Sequence, residues 1–196
     1  MIYINKFLYS IYIIIVVLTI YISIFHFIQT TSTAFNNSQS ISSDYHFSNS
    51  DFCWPVPGYH NITSPFGPRI SPTTGASRNH SGIDIGAAEN SNIYSITNGI
   101  VVFVGFQGAN GCTIMVESNN LHISYCHVSP NFIVSVGQIV TTGEHIANVG
   151  PKNVYGIPNN PYKDFKGNPT NGATTGCHLH FGIKKDGIAV NPLDFF

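Results

Sequence analysis

Three short strings carry the residues that could do chemistry. The stretch TTGCHLHFGI, residues 174–183, places His178 and His180 two positions apart in an apolar run. A β-strand sends alternate side chains to opposite faces, so the two imidazoles project together and Leu179 turns away. Two imidazoles in one space can hold a metal. With 9 histidines in 196 residues, however, chance alone gives about 0.4 such pairs, and the pair by itself is weak evidence. The second string, HSGIDI, sets His80 and Asp84 four positions apart, on one face if the chain is extended. Gly82 between them permits a bulge or a close backbone approach. The third, SYCHVSP, puts His127 near a strand end, with Tyr125 expected on its face and Cys126 on the other.

Together these residues suit zinc. A catalytic zinc takes three ligands from His, Asp or Glu and keeps its fourth tetrahedral position open. His80, Asp84 and one of His178 and His180 supply that number. The helical H-E-x-x-H arrangement is excluded, because no such string occurs. Inward residues of a strand repeat at about 6.6 Å, so one histidine of the pair can bind metal while the other faces a substrate.

Strands must position these groups. From residue 51 onward the chain alternates short β-rich runs with small turns: GIDIGA, NIYSIT, GIVVFVGF, CTIMVES, LHISYCHV, NFIVSV and HLHFGI. No stretch there has a 3.6-residue period, which predicts an all-β, antiparallel, sandwich-like domain over 51–196. One segment breaks the rhythm. Residues 150–176, rich in Pro, Gly and Asn, run straight into Cys177-His178, and a loop of that length in a compact domain is usually functional or mobile.

The first 50 residues are different material. Phe7 to Ile28 is apolar apart from isolated Ser, Thr, Tyr and His. As a helix its 22 residues would reach about 33 Å, enough for a hydrocarbon core of about 30 Å. Lys6 precedes it and no Lys or Arg follows before Arg69, so the remainder is expected outside the cell. Residues 1–30 are thus read as a retained membrane anchor, with a cleaved signal peptide and a secreted domain as the alternative. Residues 31–50 read as a flexible polar tether. Charged residues are only 9% of the chain and the net charge is −1, which gives no basis for capturing nucleic acid.

Taken in order, RNHSGIDIGA, GIVVFVG, ISYCHVSP, VSVGQIVTTGEHIANVG and GATTGCHLHFGI resemble the LytM/lysostaphin-type metallopeptidases, the M23 peptidases, over roughly residues 54–194. The resemblance implies a LytM-like fold and a zinc endopeptidase acting on peptidoglycan peptides. Carried over by position, it makes His80, Asp84 and His180 the zinc ligands and His127 and His178 the remaining site histidines. The upstream SPFGPR places Arg69 beside the groove in a structural role. The sequence departs from the family pattern at Cys177, where Pro is usual, at Cys126, and in the length of 150–176. The alternative function is a catalytically inactive LytM-like module that binds and regulates another wall hydrolase. Such members lose metal ligands, whereas this chain keeps them.

Alternation also turns Cys126 and Cys177 away from the site, as ordinary buried thiols. Were their strands neighbours, the two could bridge. A hairpin turning at about Asn119 would instead set Cys112 opposite Cys126.

Overall fold

The computed structural model describes residues 18–22 and 52–196. Residues 18–22 are helical, and among the described residues no helix is long and apolar enough to cross a membrane. The rest of the expected anchor and the whole tether lie outside the described residues.

Residues 52–196 form twelve strands: β1 Ile62–Ser64, β2 Gly67–Pro68, β3 Asn79–His80, β4 Ile83–Gly86, β5 Asn92–Tyr94, β6 Gly99–Phe106, β7 Cys112–Ser118, β8 Leu121–Cys126, β9 Ile139–Val140, β10 His145–Asn148, β11 His178–Lys185 and β12 Ile188–Val190. The only helical turns in this part are 3-10 turns at Gly108–Asn110 and Pro192–Phe195. The domain is therefore mostly antiparallel sheet with almost no helix. Its mass is one eight-stranded sheet ordered β1-β4-β11-β8-β7-β6-β9, in which β12 pairs with the outer half of β11. Two ribbons, β2–β3 and β5–β10, stand apart from it.

Alternation gives the large sheet one apolar face. Ile83 and Ile85, Leu179, Phe181 and Ile183, Ile123 and Tyr125, and Ile114 and Val116 come from four adjacent strands and are fully buried. Ile93 and Ile146 of the β5–β10 ribbon join the same core. Burying a side chain of this size is worth roughly 1.5–3 kcal/mol, so the face fixes the register. A slip of one residue would carry the whole apolar set to the other side. Tyr125 is accommodated because its hydroxyl accepts a bond from the Ile96 amide at 2.9 Å. It therefore points into the core, not toward the site as alternation from His127 predicted.

Two further expectations are corrected. NFIVSV forms no strand. Only Val134 is buried there, while Phe132, Ile133 and Val136 remain exposed, so the run has hydrophobicity but no partner strand. The β7–β8 hairpin turns so that Thr113, not Cys112, faces Cys126. All four cysteines are free thiols.

Candidate active site

The opposite face of the large sheet carries the polar groups. Cross-strand pairing aligns Ser64 with Asp84, Asp84 with His180, His180 with Cys126, and Cys126 with Thr113. Residues directly opposite in antiparallel strands share a face, so all five point away from the apolar core. His178, opposite Gly86 on the same face of β11, stands beside them. His80 arrives separately, from the β2–β3 ribbon. The chain then crosses to β4 through Gly82, where a Cβ would lie 2.3 Å from the Phe181 carbonyl oxygen. Only glycine permits that approach, and it is what lets His80 overhang Asp84.

Three donor atoms converge there. His80 Nε2 lies 2.8 Å from His180 Nδ1 and 3.1 Å from Asp84 Oδ1, and His180 Nδ1 lies 2.8 Å from the same oxygen. The His80 tautomer is set from behind. Its Nδ1 is 2.8 Å from the Pro65 carbonyl oxygen, which can only accept, so Nδ1 carries the proton and Nε2 presents a lone pair. That lone pair faces a carboxylate oxygen, two acceptors with no proton between them. A small cation satisfies all three atoms at once, and the donor set of two imidazoles and a carboxylate matches zinc. No other group of three or more histidine, cysteine or acidic side chains among the described residues is placed to hold a metal.

The surroundings keep the carboxylate ionised. Burial pushes the Asp84 pKa up, but the histidines gathered around the carboxylate, His180 first, outweigh it and hold the group well below the usual carboxylate range. Its second oxygen accepts from Arg69 Nη1 at 3.0 Å, and the same nitrogen donates to Ser64 Oγ at 2.7 Å. Arg69 is thus the outer support of Asp84, fixing which oxygen faces the metal position. Burial pulls the His180 imidazole below its ordinary value despite the adjacent carboxylate.

His127 and His178 complete the centre. His127 directly follows β8 with φ of +57°. This left-handed residue breaks alternation and brings the ring to the side that Cys126 already faces. Cys126 therefore does not turn away from the site. It is fully buried on the site face, its thiol pushed up to about 12 by burial. Cys177 packs against the apolar core and also borders the groove. The His127 conformation is held from several directions. Its amide donates to the Asn110 carbonyl, its carbonyl accepts from the Gly150 amide, and Nδ1 donates to the Asn171 carbonyl at 2.7 Å. His178 Nδ1 donates to the Gly176 carbonyl at 2.9 Å, and its Nε2 lies 3.6 Å from Asp84 Oδ1. Both rings so held have a lone pair on Nε2, with ring centroids 4.7 Å apart. Burial, reinforced by His178 and His180, pulls the His127 pKa to about 3.

Asn171 had no signal of its own in the sequence. Fully buried, it accepts from the Cys112 amide through Oδ1 and donates to the Val128 carbonyl through Nδ2 while its backbone carbonyl orients His127. It shows the 150–176 segment to be a built part of the site. The groove over the five residues has a volume of about 370 Å³, with Arg69, Ser64, Asn110 and Thr174 also in its walls.

A family model described as "Peptidase family M23" matches residues 78–192. The chain is 31% identical over 136 residues to DD-carboxypeptidase/endopeptidase Mpg of Neisseria meningitidis, covering 69% of this chain and 27% of that protein. It is 30% identical over 127 residues to peptidoglycan DD-endopeptidase ShyB of Vibrio cholerae, covering 64% of this chain and 25% of that one. The chain thus spans about a quarter of the length of these curated relatives. A solved zinc-containing peptidase from Vibrio cholerae superposes with a TM-score of 0.56 at 28% identity, covering 72% of this chain and 39% of that one.

Proposed function

The chain belongs to peptidase family M23, and from that premise we propose that it is a zinc-dependent endopeptidase cleaving peptide bonds in the stem peptides or cross-bridges of bacterial peptidoglycan. One observation carries this reading: His80 Nε2, Asp84 Oδ1 and His180 Nδ1 converge on one point, beside two further histidines whose free nitrogens are set by backbone carbonyls. The relatives named for DD-endopeptidase activity support the wall-peptide substrate.

His80, Asp84 and His180 would hold the zinc, which would supply a Lewis acid able to bring the pKa of water to about 7 and to polarise a scissile carbonyl. The remaining steps fall to the chain's own groups. One of His127 Nε2 and His178 Nε2, both lone-pair positions, accepts the proton of the attacking water and returns it to the leaving amine. Once protonated, either ring also stabilises the developing oxyanion by hydrogen bonding. The Asn171 and Gly176 carbonyls hold the two rings in the tautomer that this exchange needs.

The direct test is zinc content of the purified protein together with release of amines from purified cell wall. About one zinc per chain is expected, with amine release that a chelator stops and added zinc restores. One bound zinc without amine release would instead favour a non-catalytic module regulating another wall hydrolase.

The same reading puts the domain outside the cell, tethered by the apolar 7–28 segment through the polar 31–50 linker. Fractionation should then find the full-length chain in membranes, and protease added to intact cells or spheroplasts should degrade the domain. A soluble form beginning near Phe35 would mean that the segment is a cleaved signal.

A further inference from the structure

The residues just before His178 are built on a fixed base. Gly172 sits against the 3-10 turn, where a Cβ would lie 2.4 Å from the Ala109 carbonyl oxygen, and that same oxygen accepts from the Ala173 amide at 2.8 Å. The Thr174 amide then donates to the Gly172 carbonyl at 3.0 Å, and Thr174 is buried.

From this base the Thr174 hydroxyl holds the next part of the chain. Oγ1 donates to the Gly176 carbonyl at 2.7 Å and accepts from the Gly176 amide at 3.2 Å, the local bonding that short hydroxyl side chains make with nearby backbone. Both polar groups of Gly176 thus engage one hydroxyl. A Cβ at Gly176 would meet nothing within 4 Å, so packing on that side does not hold the residue.

A hydroxyl has one proton to give. Because Thr174 gives it to Gly176, its oxygen offers only lone pairs to His178 Nδ1, 3.4 Å away. Nδ1 therefore faces two acceptors, this oxygen and the Gly176 carbonyl at 2.9 Å. The opposite pull comes from Asp84 Oδ1, 3.6 Å from Nε2, which favours the proton on that nitrogen. The partners of the two nitrogens decide which one keeps it, and Nε2 can accept a proton only while the ring's own proton stays on Nδ1.

We propose that Thr174 is a positioning residue for the reaction: its hydroxyl fixes the Gly176 carbonyl on His178 Nδ1 and so keeps the Nε2 lone pair available against the pull of Asp84. The proposal rests on the peptidase reading above and acts through His178.

The test uses the full chain and two measurements. Nitrogen NMR of the neutral His178 ring, in the zinc-loaded and the chelated protein, should find the proton on Nδ1 in the parent and a measurable fraction on Nε2 in Thr174→Val. With soluble cross-linked wall peptides as substrate, Thr174→Val should lose at least about tenfold in kcat with KM within about twofold of the parent and zinc content unchanged. Thr174→Ser returns the hydroxyl, and should restore the Nδ1 proton and bring kcat to within about threefold of the parent. If valine lowers the melting temperature, Thr174→Ala carries the same two measurements. A lowered melt with tautomer and kcat unchanged leaves only a structural role and overturns the proposal, as does a fall in kcat that serine does not rescue. If the parent cuts no wall peptide, the peptidase reading fails, and an Nδ1 proton fully kept in Thr174→Val overturns the Thr174 assignment separately.

Discussion

Asp84→Ala is expected to leave the purified protein without zinc and without measurable release of amines from cell wall. Asp84 is the centre of the arrangement. Its Oδ1 is the only anionic atom among the three donors, and both imidazole nitrogens lie within 3.1 Å of it. Without it, His80 Nε2 and His180 Nδ1 still face each other at 2.8 Å, but two neutral nitrogens at an incomplete site hold a divalent ion poorly. The loss in affinity should exceed the 10–100-fold that removal of outer supporting groups typically costs. Arg69 contributes a loss of that smaller kind. Arg69→Ala should weaken zinc binding without abolishing it, since Asp84 then loses the bond that orients Oδ2. Elemental analysis after dialysis separates the cases, and full zinc occupancy in Asp84→Ala would falsify the ligand assignment. A thermal melt is a necessary companion, because the alanine also leaves the half-buried Arg69 guanidinium without its counter-charge, held only by Ser64 Oγ and the Ser77 carbonyl.

The residues proposed as ligands were legible in the sequence because their placement follows from local rules. His178 and His180 share a face by the period of two, and Leu179 and Phe181 between and after them had to be core. His80 and Asp84 were read as neighbours on an extended chain. They do meet, but across a strand break at Gly82 and not along one strand. Gly82 itself was legible as a close approach, though which backbone it approaches was not, since Phe181 lies 99 positions away.

What the sequence concealed depends on distant contacts. His127 takes φ of +57° because Asn110, Gly150 and Asn171 engage its amide, carbonyl and ring. No periodic rule reports such a conformation, so alternation misplaced both Tyr125 and Cys126. The same limit explains NFIVSV, whose composition suits a strand but which pairs with no other strand. It also explains why 150–176 could be singled out by length alone, while Asn171, its most deeply integrated residue, looked like any other loop asparagine.

The second large effect concerns those two histidines. His127→Ala and His178→Ala are expected to keep zinc while losing about 10²–10⁴-fold in turnover, the usual contribution of a positioned general acid or base. Neither residue supplies one of the three converging donor atoms, so metal content should follow the parent. His178 gives the cleaner comparison, because His127→Ala also leaves the Asn171 carbonyl without its donor in a fully buried place. His127→Gln reduces that cost and permits a check by pH. The folded protein holds His127 neutral down to about 3, against an ordinary value of 6.5. Between those values the unfolded chain binds a proton that the folded chain refuses, so stability rises with pH across the interval. The contribution is fully present above about pH 6.5 and is lost as pH falls toward 3, with His180 acting in the same direction. The metal-free protein should therefore melt at a lower temperature at pH 4.5 than at pH 7.5, and His127→Gln should shrink that difference. Equal differences in the two proteins would mean that His127 is not held neutral by burial, and parental turnover in either alanine variant would remove that histidine from the chemistry.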